Sequence, residues 1–364
     1  MTALTTDPSA DGMGPQSVAS HDWRMAAVAM LSVRVIQGFI YWGGGSRRFI
    51  SAPSKLDPDR PSWMANKFQT AMPGALFGLD HVIAYLLQHF WLLYAGIILF
   101  SAVELIAGLA LMAGFMTRLF AFVSVGLLIV LMLLFGWQGG TCVDEWTMAA
   151  CNLAMGATLM LAGSSAYALD NALLRRRPAL ADRPWFRWAG GSLKLPLSDD
   201  AFRKLGLAVL AFVLAFDVGI YNYYRGSVLT AYHGGPVSPA AHHFTLSKAA
   251  ILSDGSVRFH IYLDGGTPAV PAHIMKAEVL SADGKPIAVW DTVALSALPA
   301  PAIVNDFAYN QFRSGPYGLV AEVGSMATVT LPPEAGLNDA KAGDVLRITD
   351  VNGKSFVDRL TAGR

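Results

Sequence analysis

The sequence has few charged residues and almost no cysteine, and both shortages narrow the class of protein. Only 15% of its 364 residues are charged, and the net charge at pH 7 is +1. No cluster of Lys and Arg is interleaved with aromatic residues, which argues against a nucleic-acid-binding protein. Two cysteines are too few for a disulfide scaffold, a four-cysteine zinc site or a cysteine-ligated iron–sulfur cluster.

The sequence also lacks the motifs that hold the common cofactors and nucleotides. It contains no C-x-x-C-H for c-type haem, no G-x-G-x-x-G after a strand for a flavin or nicotinamide dinucleotide, and no phosphate-binding loop. The eight histidines match no strong zinc spacing, so no metal site is expected. A redox function would therefore need an electron acceptor that dissolves in the membrane or sits in a partner.

What the chain has in abundance is apolar sequence. Hydrophobic residues make up 54% of it and its mean hydropathy is +0.42, whereas an average soluble domain has about 45–50% apolar residues. Five stretches are long and apolar enough to cross a bilayer, which takes about 20 residues. We therefore expect an α-helical membrane protein with spans at 24–42, 91–116, 119–137, 144–167 and 205–224.

The basic residues predict the orientation of these spans. The connection between the fourth and fifth spans carries eight of them. Because short cytoplasmic connections are enriched in Lys and Arg, we place this connection and the N-terminus in the cytoplasm. The residues after the fifth span then lie on the periplasmic or extracytoplasmic side of the cell membrane. Five basic residues on that outer side need an explanation: Arg47, Arg48, Lys55, Arg60 and Lys67.

From about residue 240 the pattern changes from long apolar runs to short strands. Segments 256–264 and 319–323 alternate or are β-branched, and turn sequences such as Asn352-Gly353 separate the strands. We expect a β-sandwich of about 120 residues. The chain then divides into a polar cytoplasmic tail (1–23), a four-helix transmembrane bundle (24–170), a basic cytoplasmic linker (171–204), a fifth transmembrane helix (205–224) and an extracytoplasmic β domain (225–364).

Two charged residues lie deep inside predicted spans. Arg34 in the first span and Glu104 in the second are near the middle of the bilayer, where an isolated charge costs at least about 2.5 kcal/mol. We therefore expect the two to pair or to face a polar cavity. They form either a proton path or polar wall for a quinone head group, or an ion pair that only holds two helices together. Asp217 in the fifth span joins this pair, lies near the outer face, or forms a helix-packing hydrogen bond.

The segment 43–48 (GGGSRR) combines three glycines with two arginines directly after the first span. Consecutive glycines let backbone N–H groups converge on an anion, and Arg47 and Arg48 add charge and forked donors. Lys55 is expected to close the same pocket. The alternative is a flexible helix end whose arginines contact lipid phosphates. We favour an anion site, because these residues lie on the side that should lack basic residues.

A second polar segment, 141–146 (TCVDEW), lies between the third and fourth spans on the same side. Cys142 precedes a helix whose dipole favours the thiolate, whereas Asp144 and Glu145 oppose it. Asp144 is also a good N-cap and Trp146 a typical interfacial aromatic residue. A disulfide between Cys142 and Cys151 would require a sharp fold-back, so we expect none and interpret Cys151 as a small buried hydrophobe.

Taken together, these segments resemble a known family. Residues 24–170 resemble the DoxD subunit of thiosulfate:quinone oxidoreductase, within the wider DoxX-like family of four-helix membrane proteins. Glu104 and segment 114–118 (GFMTR) carry the broad resemblance, and the narrower one rests on RRF at 47–49, SKLDP at 54–58 and TCVDEW at 141–146. Residues 205–364 are similar to the DoxA subunit with less motif detail. Nearly the whole chain therefore resembles a fusion of the two subunits.

The resemblance implies oxidation of two thiosulfates to tetrathionate, with two electrons passed to a membrane quinone. Thiosulfate is a dianion, so bringing two of them together requires local positive charge. We expect Arg47, Arg48 and Lys55 to supply it. We expect Asp144, Glu145 and Trp146 to line the same substrate site. The hypothesis for the chemistry is that Cys142 forms a transient S-thiosulfonate, while Glu104 carries protons to a quinone head group near Arg34.

Two alternatives from other classes stay open. One is a non-catalytic membrane subunit that anchors or assembles a respiratory oxidoreductase or terminal oxidase, which the missing cofactor motifs favour. The other is a carrier or sensor whose outside domain binds a ligand. The expected partners are thiosulfate, a membrane quinone and the lipid bilayer. Association with a terminal oxidase or with a second copy of the chain is left open.

Overall fold

The computed structural model describes residues 25–51, 53–60, 62–138, 145–225, 238 and 240–362. The chain forms two compact units. The first unit consists of residues 1–53, 98–130 and 149–217, and the second of residues 54–97, 131–148 and 218–364. The second unit therefore combines the β domain with a part of the predicted membrane domain, a grouping that the sequence did not indicate.

Helices dominate the chain up to residue 225. The α-helices are α1 (Leu31–Ser46), α2 (Met64–Ala71), α3 (Leu79–Leu87), α4 (Phe90–Ala113), α5 (Thr117–Phe135), α6 (Glu145–Ala162), α7 (Leu169–Arg176), α8 (Pro184–Ala189), α9 (Asp199–Arg225) and α10 (Thr292–Ser296). The predicted basic linker is thus partly helical, since most of α7 and all of α8 lie in it and the 3₁₀ helix Pro178–Asp182 connects them.

Four helical stretches in the described part of the chain are long and apolar enough to cross a membrane. They are Met25–Ile50, Phe90–Ala113, Thr117–Phe135 and Asp199–Tyr224, which correspond to the first, second, third and fifth predicted spans. The predicted fourth span corresponds to α6, whose apolar part Thr147–Ala162 is shorter than the others. The membrane character of the protein is therefore confirmed, and a total of five spans remains a prediction.

In the first unit, α1 packs against α4 through glycines. A Cβ atom on Gly38 would lie 2.6 Å from the backbone nitrogen of Met112, and one on Gly108 would overlap the backbone of α1. A Cβ atom on Gly45 would lie 2.7 Å from Cβ of Leu105. Such close approach of two backbones through small residues is typical of helix pairs in membranes.

The C-terminal part of the chain forms two β-sheets. The strands are β1 (His243–Ile251), β2 (Val257–Gly265), β3 (Ala272–Leu280), β4 (Pro286–Trp290), β5 (Ile303–Asn305), β6 (Arg313–Gly315), β7 (Gly318–Ala321), β8 (Met326–Leu331), β9 (Val345–Asp350), β10 (Ser355–Arg359) and β11 (Thr361–Ala362). The first sheet has the strand order β11-β1-β2-β8-β5, and the second has the order β10-β9-β3-β7-β6 with β4 paired to β3. Phe244 of the first sheet contacts Phe356 of the second, with ring centroids 5.3 Å apart. The predicted β domain is therefore present, and its hairpin at Asn352-Gly353 joins β9 to β10.

The second unit also has a polar contact between α2 and the β domain. Gln69 is fully buried; its amide nitrogen donates to the carbonyls of Asn310 and Gly324 at 2.9 and 3.0 Å, and its amide oxygen accepts from the backbone N–H of Asn310 at 2.9 Å. In the same unit, Trp63, which directly precedes α2, and Phe307 of the β domain belong to one buried apolar cluster. The β domain is thus joined to α2 by specific hydrogen bonds as well as by apolar packing.

Candidate functional site

A buried ion pair lies at the C-terminal end of the first span. Arg48 follows α1 in the π-helical turn Arg47–Ser51, and its guanidinium contacts the carboxylate of Glu104 on α4. The two side chains are 10% and 16% exposed. The guanidinium also lies 5.9 Å from the ring centroid of Phe100. Short π-helical turns inside helices often mark functional sites, because they turn a side chain out of the regular helical register.

The expected pair of Arg34 with Glu104 is wrong. Arg34 is 1% exposed and donates instead to the carbonyl oxygens of Ser164 and Tyr167, the latter at 3.4 Å, just after α6 ends. A cation at that place complements the carbonyls and the dipole of a helix C-terminus. The partner of Glu104 is Arg48 instead, because the first helix continues past the predicted end of the span at residue 42.

The glycine-rich segment does not form the predicted loop that gathers N–H groups around an anion. Gly43, Gly44 and Gly45 are all helical residues of α1, so their N–H groups point along the helix. Gly44 faces the carboxylate of Glu104, where a Cβ atom would overlap Oε1. The glycines therefore let α4 and its carboxylate approach the first helix, and the anion-binding groups left in this segment are the arginines.

The other predicted basic residues have different surroundings. Arg47 is exposed, and its Nε donates to the carbonyl of Gly43 at 3.0 Å. Lys55 belongs to the second unit and is half-buried in the 3₁₀ helix Pro53–Leu56. These positions leave the combination of Arg47, Arg48 and Lys55 in one anion site as a prediction.

The predicted cysteine segment lies largely outside the described residues. Cys142 and Asp144 are outside them, and so are the side chains of Glu145 and Trp146, although α6 does begin at Glu145. Cys151 on α6 is an exposed free thiol, so its interpretation as a buried residue is wrong.

A row of buried polar residues follows one face of the first helix towards the ion pair. Arg34, Gln37, Tyr41 and Arg48 recur at helical spacing, and each is at most 9% exposed. Gln37 donates to the hydroxyl of Ser124 at 3.2 Å. The Tyr41 hydroxyl donates to the carbonyl of the same serine at 2.9 Å. Sequence analysis missed Gln37 and Tyr41, although polar residues three and seven positions after Arg34 were a signal for a polar helix face.

Asp170 is a second residue that sequence analysis missed. It is fully buried and accepts from the backbone N–H groups of Met116, Thr117 and Gly191 at 2.8 to 3.1 Å. Arg118 donates beside it to the carbonyl of Gly190 at 2.9 Å. The broad family motif GFMTR is thus explained by structure, since it joins the start of α5 to the linker. An acid in the first turn of α7 was the available signal, but nothing in the sequence indicated its burial.

The side chain of Asp217, on α9, is partly buried. Its Oδ1 atom has no hydrogen-bond partner in the described part of the chain. The structure therefore does not join Asp217 to Arg34 or to Glu104, and the predicted packing hydrogen bond is not formed by that oxygen.

Family models match two parts of the chain. The model described as TQO small subunit DoxD matches residues 29–195, and the model described as TQO small subunit DoxA matches residues 224–358; TQO denotes thiosulfate:quinone oxidoreductase. The DoxD match extends past the predicted domain end at residue 170 and includes α7 and α8. No solved structure matches the chain. Because the two matches follow one another and together cover most of the sequence, the chain belongs to the DoxD and DoxA families of TQO small subunits, joined in one polypeptide.

Proposed function

We propose that this chain oxidises thiosulfate to tetrathionate and passes the electrons to a membrane quinone. Two thiosulfate dianions lose two electrons and form one sulfur–sulfur bond, and one quinone takes up these electrons with two protons. The observation that carries the proposal is the presence of both TQO small-subunit families in one membrane protein.

For the anion site we propose Arg48 and Arg47 at the end of the first span. Thiosulfate carries two negative charges, and its oxygens match the forked donors of arginine. Arg48 is already paired with Glu104, so a dianion has to compete with that carboxylate. Protonation of Glu104 would release Arg48 for the dianion, which couples substrate binding to the arrival of a proton.

We propose that the quinone head group binds beside the Arg48–Glu104 pair rather than beside Arg34. Arg34 and Arg48 are about 21 Å apart along the helix at 1.5 Å per residue. Electrons and protons have to reach the same quinone head group, so it should lie beside the sulfur substrate. Glu104 is then the proton carrier, and the buried face with Gln37 and Tyr41 is a candidate route along which protons reach it.

For the sulfur chemistry we propose Cys142 as the nucleophile. Its thiolate and the first thiosulfate give up two electrons to the quinone and form a cysteinyl S-thiosulfonate. The second thiosulfate attacks the sulfur bonded to Sγ, so tetrathionate leaves and the thiolate returns. Asp144, Glu145 and Trp146 follow Cys142 in sequence and are proposed to complete the substrate site.

For the topology we propose five spans in the cell membrane, with the N-terminus and the linker in the cytoplasm and the β domain outside as a sandwich. The basic connection around α7 and α8 supports this orientation. We keep the predicted domain boundaries, with the DoxD part extended through α8. Thiosulfate is then met on the outer side and the quinone within the bilayer.

The test is thiosulfate-dependent reduction of a soluble quinone analogue by the purified full-length chain. We expect one tetrathionate for each quinone reduced. Cys142→Ser should abolish turnover, whereas Cys151→Ser serves as the matched control and should keep it. Full turnover of Cys142→Ser would remove the cysteine step. It would leave the overall reaction in place.

A second candidate function is a non-catalytic subunit that anchors a larger oxidoreductase. It is favoured by the fact that both families are described as small subunits. Purified chain that turns over only together with a co-purifying protein would support this candidate and contradict an enzyme that acts alone.

A further inference from the structure

A cavity of about 400 Å³ lies in the first unit at the N-terminal end of the first span. Its walls come from the start of that helix, the end of α6 and the linker, and are mostly small and apolar; they include Ala27, Val28, Ser165, Asn171, Gly191 and Ser192. The two ends of the same span hold different sites. The ion pair of Arg48 lies at its other end, so the cavity is separate from the proposed thiosulfate and quinone sites.

Two hydroxyl groups of the cavity walls lack partners. The hydroxyl oxygens of Ser165 and Ser192 are shielded from solvent, and neither has a hydrogen-bond partner in the described part of the chain. A shielded hydroxyl without a partner is unfavourable, so rotation of either serine side chain towards a ligand that supplies an acceptor in the cavity is favourable. Asn171 lies beside them and holds the wall in place, since its amide donates to the carbonyl of Ser165 at 2.9 Å.

The buried charged side chains behind the cavity walls have a net positive charge. Arg34 binds the carbonyl of Ser164, Arg118 binds that of Gly190, and Asp170 accepts from the N–H of Gly191. All three charged side chains are at most 5% exposed. Two arginines thus face one carboxylate, which leaves one positive charge beside the cavity. An anion in the cavity would compensate it.

The surface around the cavity fits a lipid rather than a free ion. Met25 and Val28 at the start of the span are 60% and 53% exposed, which offers an apolar track beside the opening. Arg175 is exposed one turn beyond Asn171, on the same face of α7. Trp185 and Trp188 of α8 are more than half exposed, as aromatic residues at a membrane interface are.

We propose that this cavity binds the head group of an anionic phospholipid from the leaflet that faces the basic linker. The phosphate accepts hydrogen bonds from the hydroxyls of Ser165 and Ser192 and is attracted by the excess positive charge, while an acyl chain follows Met25 and Val28. The experiment that tests this site measures lipid binding, so its result does not depend on whether the chain has the proposed oxidoreductase activity.

The experiment is lipid titration of the full-length chain in neutral detergent, followed by native mass spectrometry. Phosphatidylglycerol should bind about tenfold more tightly than phosphatidylcholine with the same acyl chains, given the attraction of about one buried and one surface charge. Ala27→Phe fills the cavity and should abolish this preference. Ala29→Phe is the matched control, because Ala29 is exposed on the same helix and is not part of the cavity wall.

Two further variants test the polar contacts. The double variant Ser165→Ala/Ser192→Ala should weaken phosphatidylglycerol binding about fivefold, a loss that corresponds to about one hydrogen bond. Arg203→Gln removes a basic residue of the same linker away from the cavity and should change nothing. Equal binding of the two lipids, a preference that survives Ala27→Phe, or an equal loss in Arg203→Gln would overturn the proposal. Displacement by inorganic phosphate or by decylubiquinone would overturn it too, because either would identify a different ligand.

Discussion

Arg48 and Glu104 show how a single residue pair can be both structural and functional. Arg48 is buried at the end of the first span and Glu104 is largely buried in the interior of α4, where an unpaired charge is unfavourable. Loss of one partner leaves the other charge buried without compensation, which typically costs about 3–5 kcal/mol. Replacement of both removes that penalty. The two roles can therefore be separated by comparing single and double variants.

The first prediction concerns this pair. Arg48→Gln and Glu104→Gln should each lower the free energy of unfolding of the full chain in detergent by about 3 kcal/mol. The double variant Arg48→Gln/Glu104→Gln should regain most of that stability in the same thermal unfolding measurement. A double variant as unstable as either single variant would show that the two charges do not compensate one another.

A second prediction concerns Glu278 of the β domain, which lies outside the membrane spans. Its side chain is 4% exposed and contacts Lys276 and its cross-strand neighbour Arg347. Burial raises the pKa of this carboxyl, but the hydrogen bonds and attraction of Lys276 and Arg347 outweigh burial, so its pKa lies below the ordinary value of 4.5. A lowered pKa stabilises the fold above the ordinary value, and this stability is lost as the pH falls through the lowered value.

The measurement is thermal unfolding of wild type and Glu278→Gln between pH 7 and pH 3. The advantage of the wild type should be constant from pH 7 to pH 5 and should shrink below about pH 4.5. Glu334→Gln, at an exposed position of the same domain, is the control and should show no such change. An advantage that grows at low pH would contradict the assigned ion pairs.

At the scale of elements, the contact between α1 and α4 depends on which glycines face the neighbouring helix. A Cβ atom on Gly45 would lie 2.7 Å from Leu105, whereas one on Gly43 would meet nothing within 4 Å. The two positions are two residues apart in the same helix. They therefore separate the effect of helix propensity from the effect of helix packing.

The third prediction uses this contrast. Gly45→Ala should destabilise the protein by about 1–3 kcal/mol, because the added methyl group forces α1 and α4 apart. Gly43→Ala should be neutral or stabilising by up to about 1 kcal/mol, since alanine favours a helix and has open space there. Thermal unfolding of both variants in one detergent provides the test. Equal effects would exclude specific packing at Gly45.

Elements were easier to predict than the contacts between them. Long apolar runs indicated the membrane helices, and turn signals such as Asn352-Gly353 indicated the β hairpins, because both depend on local sequence. The pairing of Glu104 was not predictable, because it depends on whether Gly43–Gly45 continues the helix. A run of three glycines is compatible with a loop or with close helix packing. The neighbouring helix decides between them, and that information is not local.

At the scale of the whole chain, the β domain is joined to the helical part of its own unit by amide groups. Asn310 donates through Nδ2 to the Thr70 hydroxyl at 2.9 Å and to the carbonyls of Asn66 and Val323 at 3.1 and 3.0 Å. The side chain of Gln69 forms three hydrogen bonds with backbone groups of the β domain. Residues 241 positions apart in sequence thus satisfy one another, a pairing that no local pattern could indicate.

The fourth prediction follows from this contact. Gln69→Ala should lower stability by about 2 kcal/mol, because it leaves buried backbone groups of the β domain without partners. It should also speed hydrogen exchange of the amides in α2. Gln311→Ala is the matched control, since its amide makes one local bond to the carbonyl of Ala308. Unchanged exchange in Gln69→Ala would show that the hydrogen bonds do not fix the contact.

The proposed function makes this chain, which combines the two TQO small-subunit families, a thiosulfate:quinone oxidoreductase whose site includes Arg48 and Glu104. The most direct measurement is anaerobic reduction of decylubiquinone by thiosulfate, with the purified full-length chain, the folded double variant Arg48→Gln/Glu104→Gln and the control Arg60→Gln. Arg60 is exposed and pairs with Asp57. We expect turnover in wild type and control, and a loss of at least about 100-fold in the double variant, since an essential charge and a proton carrier are both gone. Wild-type protein that is folded but inactive, or a double variant with full turnover, would contradict the claim.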